Sequence, residues 1–160
     1  MDLLLDTNLL VRCVEPSHLL HLFATTAMKE ISARADRAFI VPQVIYEYFV
    51  VCTRPISEYG GLGMTNESAL AEIARVADLA KLLPDTRGVY PEWLRLIDEM
   101  KIAGKRGYDA RLVAAMNVHG LRTILTFNAK DFTRYPGIQV LSPEELAASW
   151  NARTAKGTQA

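Results

Sequence analysis

The chain alternates short apolar runs with longer segments in which apolar residues recur at helical spacing. The runs at 2–6, 38–41, 123–127 and 137–141 have the length of buried parallel strands. Amphipathic helices are predicted between the runs, at about residues 17–35, 43–51, 66–82, 91–101 and 108–118. Strands that alternate with helices are typical of a mostly parallel sheet with helices on both faces. The pattern therefore predicts an α/β fold with three layers, α/β/α.

Proline and glycine mark where these segments end. Residues 53–65 contain several of them and are predicted to form a loop, and 84–88 is predicted to be a turn after a very short strand at Leu82 and Leu83. The basic segment 104–107 is bounded by glycines and is also predicted to be a loop. Pro143 opens a short terminal helix, and 151–160 lacks apolar periodicity. We therefore expect a single domain over 1–150 and a flexible tail over 151–160.

Composition restricts the classes of function. Lys plus Arg is 18 and Asp plus Glu is 18 in 160 residues, which argues against a broadly basic nucleic-acid coat but permits a local basic lip. Cys13 and Cys52 are too few for a disulfide framework. A signal peptide and an apolar stretch of about 20 residues, the length that spans a bilayer, are both missing from the pattern. These features predict a soluble cytoplasmic protein without a membrane partner.

Four acidic residues occupy positions that this layout brings together. Asp6 ends the first strand, and Asp131 follows the strand at 123–127. Glu47 and Asp109 lie on helices that are otherwise apolar. Because ligands gather beyond the carboxyl ends of parallel strands, we expect the four carboxylates to share one site. Like charges that share a buried site call for protonation or for a cation.

Each of these acids, taken singly, also has a structural interpretation. Asp6 could cap the next helix, and Asp109 could complement the dipole of its own helix. Glu47 could pair with an arginine, and Asp131 could belong to an Asx turn. The joint pattern favours the shared site over four separate explanations.

The type of donor indicates the type of metal. An oxygen-only cluster suits Mg²⁺ or Mn²⁺ rather than zinc, and His18, His21 and His119 do not form a zinc motif. The sequence has no Walker-type phosphate loop, no Rossmann glycine fingerprint and no Gly-x-Ser-x-Gly elbow. Phosphatases that form an aspartyl phosphate carry Asp-x-Asp, and this chain has Asn8 at the second position.

Four segments together resemble the PIN-domain nucleases, close to the VapC-type toxins of bacterial toxin–antitoxin pairs. They lie in family order between residue 3 and about residue 143. They are Leu4-Leu5-Asp6-Thr7-Asn8, Val44-Ile45-Tyr46-Glu47 continuing to Thr53-Arg54-Pro55, Gly107-Tyr108-Asp109-Ala110-Arg111-Leu112-Val113-Ala114-Ala115-Met116, and Leu125-Thr126-Phe127-Asn128-Ala129-Lys130-Asp131-Phe132.

This resemblance implies a Mg²⁺- or Mn²⁺-dependent endoribonuclease with a PIN-like fold. Asp6, Glu47 and Asp109 match the three main acids of the family. At the fourth position Asn128 stands where many relatives have aspartate, and Asp131 follows one helical turn later, so either residue could complete the site. The resemblance also implies a toxin role, a small antitoxin partner and a homodimer.

Supporting and RNA-contacting residues are also predicted. Thr7, Asn8, Thr126 and Asn128 are expected to hold the carboxylates. The cations expected to contact RNA phosphates are Arg54, Lys105, Arg106 and Arg111, although Arg54 and Arg111 could instead pair with an acid of the cluster. An alternative function is a catalytically weak or inactive PIN-like module that binds RNA or protein, and a metal-dependent phosphomonoesterase is a third hypothesis.

Overall fold

The computed structural model describes residues 1–157 as a single sheet flanked by helices. The strands are β1 (Asp2–Leu5), β2 (Arg37–Ile40), β3 (Lys81–Leu82), β4 (Thr123–Leu125) and β5 (Gln139–Leu141). The helices are α1 (Thr7–Cys13), α2 (His21–Ala33), α3 (Pro42–Thr53), α4 (Asn66–Leu79), α5 (Val89–Glu99), α6 (Arg106–His119), α7 (Ala129–Phe132) and α8 (Pro143–Gly157).

The sheet has the order β3-β2-β1-β4-β5, and its strand pairs are all parallel. The predicted α/β fold is confirmed, and the sheet is fully rather than mostly parallel. The central strand β1 pairs Leu3 with Ala38 of β2 on one side and with Thr123 of β4 on the other. The chain therefore runs outward from β1 in both directions, which opens a crevice at the carboxyl end of β1.

Burial of the central strand shows that helices cover both faces of the sheet. Leu3, Leu4 and Leu5 are all fully buried, although successive side chains of a strand point to opposite faces. An apolar run without alternation is the expected pattern for a strand covered on both sides. Asp6 directly follows the last residue of this rigid central strand, so the fold holds the first acid at a fixed place.

Several helices differ from the prediction. Helix α2 begins at His21 rather than at 17, and α4 ends at Leu79, before β3. Helix α6 begins at Arg106, so the predicted basic loop at 104–107 includes the first residues of a helix. The short α7, which holds Asp131 in its first turn, was not predicted as a separate helix. A four-residue helix has too few residues to show an apolar period, which explains why the pattern misses it.

Helix α8 continues to Gly157, so 151–157 is helical where the sequence predicts a flexible tail, and the rest of that predicted tail, 158–160, lies outside the described residues. It packs along α2, where the buried carboxylate of Glu30 pairs with Arg153 and accepts a hydrogen bond from Ser149 at 3.3 Å. A long-range ion pair leaves no apolar period in the sequence, so the extension is visible only in the fold. None of the helices in the described part of the chain is long and apolar enough to cross a bilayer.

Candidate active site

Asp6 stands at the carboxyl end of β1, where α1 begins. Its main-chain N–H donates to the Leu125 carbonyl at 3.1 Å, which extends the pairing of β1 with β4. Its carboxylate atom Oδ2 accepts from the Thr126 hydroxyl at 2.6 Å and from the Asn8 amide at 2.7 Å. Although Asp6 occupies the N-cap position of α1, its carboxylate makes no capping hydrogen bond to the helix main chain and is held by these two side chains instead.

The Thr126 hydroxyl connects the ends of the two central strands. It donates to Asp6 and accepts from the Asn8 amide and from the Asn128 main-chain N–H, both at 2.9 Å. The side-chain oxygen of Asn8 accepts a hydrogen bond from the Phe127 main-chain N–H at 3.2 Å. Thr126 is fully buried, so this network is rigid and fixes the orientation of the Asp6 carboxylate.

Glu47 reaches the same crevice from α3. Its two carboxylate oxygens have separate partners, because Oε2 accepts from the Thr7 hydroxyl at 2.9 Å and Oε1 accepts from the Gln43 amide at 2.8 Å. Val44 and Tyr48, on the same helix, are fully buried in the core. The arginine pairing considered for Glu47 is replaced by these two neutral donors.

Asp109 and Asp131 complete the acidic group from the opposite side. Asp109 lies in the first turn of α6, and the exposed Asp131 lies in α7. The two carboxylates are close enough that the charge of Asp131 raises the pKa of Asp109. Asn128 stands at the N-cap position of α7, with its main-chain N–H bound to Thr126.

All four predicted acids line one open cavity of about 220 Å³. The supporting residues Thr7, Asn8 and Asn128 line it too, and Thr126 lies behind Asp6. The complete lining consists of Asp6, Thr7, Asn8, Val11, Arg12, Gln43, Glu47, Asp109, Leu112, Asn128, Asp131 and Phe132. Residues from four separate segments of the chain therefore converge at the end of β1.

Burial and mutual repulsion perturb two of the carboxyl groups. Desolvation raises the pKa of Asp6 to about 6, with smaller contributions from the charges of Glu47 and Asp109, and the Thr126 hydrogen bond opposes the shift. Desolvation likewise raises the pKa of Asp109 to about 6, together with the charges of Asp131 and Glu47. Such a group of like charges is stabilised when a cation enters it.

The donor set has the chemistry that Mg²⁺ or Mn²⁺ requires, with carboxylate oxygens supported by hydroxyl and amide groups. Within residues 1–157, no three carboxylate, imidazole or thiolate side chains are already arranged as a metal-binding group. The residues therefore fit a hard cation by charge and by donor type, and the carboxylates would have to draw together around it.

The predicted phosphate contacts separate into two groups. Lys105 and Arg106 are exposed at the start of α6, and the charge of Arg106 lowers the pKa of Asp109. Arg111 pairs with Asp85 at 2.7 Å and donates to the side-chain oxygen of Gln43 at 3.0 Å. The acid that pairs with Arg111 thus lies outside the cluster, and Arg111 supports Glu47 through Gln43.

Arg54 lies apart from the acidic cavity. It follows the last turn of α3, and its guanidinium donates to the Tyr59 carbonyl at 3.0 Å. This bond lies within the loop that the glycines and Pro55 predict. Contact between Arg54 and RNA stays a prediction.

Sequence reasoning missed three polar residues of this region. Gln43 precedes Glu47 by one helical turn, and this spacing was an available signal. Arg12 lines the cavity and pairs with Glu15, and the charge of Arg134 lowers the pKa of Asp109. Neither arginine is marked by a local pattern, because only the fold brings it to the site.

Comparison with known proteins identifies one family. The sequence model of one protein family, the PIN domain, matches residues 3–138 of this chain. The chain is 26% identical over 140 residues to "Ribonuclease VapC48" of Mycobacterium tuberculosis (strain ATCC 25618 / H37Rv), which covers 86% of this chain and 94% of that protein.

Solved structures show the same fold at lower identity. VapBC2 from Rickettsia felis, bound to a DNA fragment from its promoter, aligns with a TM-score of 0.67 at 15% identity and covers 89% of this chain and 98% of that one. Mycobacterium tuberculosis VapC20, described as a Sarcin-Ricin loop cleaving toxin, aligns with a TM-score of 0.54 at 17% identity and covers 76% of this chain and 86% of that one.

Proposed function

Because this chain belongs to the PIN-domain family, we propose that it is an endoribonuclease that hydrolyses phosphodiester bonds of RNA at the acidic cavity. One observation carries the proposal: the carboxylates of Asp6, Glu47, Asp109 and Asp131 converge on one cavity from separate elements. The ribonuclease name of the M. tuberculosis relative supports the choice of RNA as the substrate.

In this proposal Asp6 and Asp109 hold Mg²⁺ or Mn²⁺, and Asp131 supplies further negative charge from the rim. When bound, such an ion lowers the pKa of the attacking water and offsets charge on the phosphoryl oxygens. Glu47, held on both oxygens by neighbouring donors, orients the water for attack. Asn128 acts through its main chain on Thr126, so it supports Asp6 while Asp131 completes the acidic group.

RNA also has to approach a cavity of negative charge. Lys105 and Arg106 stand exposed beside Asp109, and we propose that they contact phosphates on either side of the cleaved bond. Replacing both by alanine should flatten the salt dependence of RNA binding. Asp109→Asn serves as the matched change at the cavity itself, because it removes an anion and should leave that salt dependence in place.

The decisive experiment is RNA cleavage in Mg²⁺, in Mn²⁺ and in chelator, with wild-type protein beside Asp109→Asn. The wild type should cut only with metal, and the variant should lose activity. In chelator at neutral pH the variant should be at least as stable to urea as the wild type, because the isostere keeps the packing and removes a charge that burial and repulsion make unfavourable. Cleavage by the variant at the wild-type rate would exclude Asp109 from the mechanism.

The alternative is an inactive PIN-like module that binds RNA or protein, and the lack of a preassembled metal group within the described residues favours testing it. Calorimetric titration with Mn²⁺ separates the two proposals, because the nuclease requires saturable binding and a dead module does not. Hydrolysis of a small phosphomonoester in the same buffers would indicate a phosphatase instead.

We also propose that the protein is the toxin of a toxin–antitoxin pair, with a small antitoxin as its partner and a homodimer as its own state. The support is the similarity of its fold to the VapBC structures. Co-expression with a small protein encoded next to this gene should suppress cleavage and yield a co-purifying complex. Light scattering of the free protein measures its oligomeric state.

A further inference from the structure

Beside the acidic cavity lies a groove with aromatic walls and a basic end, here called the aromatic groove and defined by Tyr90, Trp93, Tyr108, Lys105 and Arg111. Two cavities of about 370 and 570 Å³ form it, and both are lined by Trp93 and Arg111. The first turn of α5 supplies one wall, and the start of α6 supplies the other.

Two of the three aromatic side chains are largely exposed to solvent, and Trp93 is partly buried against the core. Tyr90 and Tyr108 are each 65% exposed. The indole N–H of Trp93 donates to the Gly107 carbonyl at 2.9 Å, which fixes this ring against α6. Tyr90 stacks on Trp93 with ring centroids 6.1 Å apart and planes inclined by 25°. Clustered and exposed aromatic surface of this kind marks a binding site more often than it marks packing.

The aromatic groove adjoins the acidic cavity directly. The Tyr108 carbonyl accepts from the Gln43 amide at 3.1 Å, and Arg111 donates to the other end of that amide. Gln43 itself lines the acidic cavity, and Asp109 is the next residue after Tyr108. One glutamine side chain therefore lies between the two, and the groove begins next to the acidic cavity.

The charge of the groove selects the occupant. Lys105 is exposed at its end, beside Gly104, so an ammonium group is available to a phosphate. Arg111 is already paired with Asp85 and contributes mainly shape. Flat aromatic faces next to a lysine match unpaired nucleobases joined by phosphates. Bases inside a duplex are stacked on each other and cannot reach these rings.

We propose that the aromatic groove is a stacking platform for one or two unpaired nucleotides next to the cleaved bond, with Lys105 contacting a phosphate between them. This inference rests on the proposed ribonuclease function and assigns the surface that holds the nucleotides next to the cleaved bond. Tyr90 and Tyr108 bind bases here and take no part in bond cleavage.

The test uses a short single-stranded RNA that carries 2-aminopurine next to the cleavage site. Cleavage kinetics are measured with metal, and quenching of the 2-aminopurine fluorescence is measured in chelator, for wild type, Tyr90→Ala and Tyr108→Ala. Each variant should raise KM and the dissociation constant about 5- to 160-fold, the range expected for one stacked base, while kcat changes less. Tyr90→Phe and Tyr108→Phe should restore wild-type values, because stacking needs only the ring.

Two controls separate stacking from general damage. Tyr59 is 98% exposed and lines neither cavity, so Tyr59→Ala should leave both measurements unchanged. An RNA with abasic sites in place of the flanking bases should bind wild type and Tyr90→Ala equally. Lys105→Ala should lower the slope of log affinity against log salt by about 0.7, the value for one phosphate of a single strand.

The outcomes distinguish the groove from the function. If wild type cleaves RNA but the alanine variants keep KM and quenching within twofold of wild type, the platform is wrong and the nuclease stands. A groove that binds a protein partner instead of RNA would also leave KM and quenching unchanged in the alanine variants. The expected rise in KM and in the dissociation constant would exclude that partner role. If wild type quenches 2-aminopurine through Tyr90 and Tyr108 without cleaving RNA in either metal, the proposed function fails while the groove stands.

Discussion

Replacing Gln43 should slow catalysis without weakening RNA binding. This side chain is 6% exposed and makes three hydrogen bonds: it donates to Glu47 and to the Tyr108 carbonyl, and it accepts from Arg111. Gln43→Met has nearly the same length and removes all three. The bond to the carboxylate is the one that orients Glu47, and the other two hold the glutamine in place.

The magnitude follows from the bond to Glu47. A hydrogen bond to a charged group contributes about 1.5–3 kcal/mol, and the lower end applies because Glu47 is only partly buried and water can replace the lost donor. If that energy serves to position Glu47 in the transition state, kcat falls about tenfold, since 1.4 kcal/mol corresponds to a factor of ten. KM for RNA should stay within about twofold, because Gln43 is buried and its three partners are protein groups, so it offers no direct contact to the RNA.

The assay is steady-state RNA cleavage at saturating metal, with urea unfolding of the same samples. Gln139→Met is the matched control, because Gln139 lies exposed on the edge strand β5, and it should leave kcat unchanged. Gln43→Glu adds a signature that a structural role would not produce. It places a second carboxyl group at hydrogen-bonding distance from Glu47, so its activity relative to wild type at the same pH should rise as pH falls and that group becomes a donor. A Gln43→Met protein with wild-type kcat, or one whose loss follows its unfolded fraction, would refute this role for Gln43.

Three further outcomes are expected. In chelator, the free energy of unfolding of the wild type should fall by up to about 3 kcal/mol relative to Asp6→Asn as pH rises from about 4 to 6, because the folded state binds the Asp6 proton more tightly than the unfolded state does; parallel urea-midpoint profiles would contradict the raised pKa of Asp6. Above about pH 6, adding Mn²⁺ should raise the melting temperature of the wild type much more than that of Asp6→Asn, and equal shifts would place the ion elsewhere. Arg153→Met should lower the free energy of unfolding in urea by about 1–3 kcal/mol, because Glu30 loses its cation. Adding Glu30→Gln to this variant should restore most of the lost stability. If Arg153→Met alone is as stable as wild type, the pair does not anchor α8.

Local patterns were sufficient for the strands that carry the site. The run ending at Leu5 has no alternation, and the structure buries it on both faces as the central strand. The carboxylate that follows such a strand must lie at its rim, so the position of Asp6 could be read directly. The proline before Gln43 and the glycine after His119 likewise bound α3 and α6 close to their predicted ends.

The partners of the acids could not be read in this way. Glu47 and Thr7 are 40 residues apart, and Arg111 and Gln43 are 68 residues apart. Arginine and threonine occur throughout the sequence, and no period marks the ones that meet a given carboxylate. Arg111 shows the limit: pairing with a cluster acid was considered as an alternative to phosphate contact, and Asp85, from the turn before α5, takes that arginine instead.

The sequence by itself determined which strands and helices carry the site and which kind of metal-ligand atom lies at their ends. Apolar periodicity and the glycines and prolines that end each segment are local properties of neighbouring residues. Only the tertiary structure decided the strand order, which sets β1 between β2 and β4 and thereby brings Thr126 within 2.6 Å of Asp6. It also decided that Tyr90, Trp93 and Tyr108 share one groove beside the acids. These choices depend on how whole elements pack over long distances along the chain, and that packing is an energy of the assembled fold rather than of any segment.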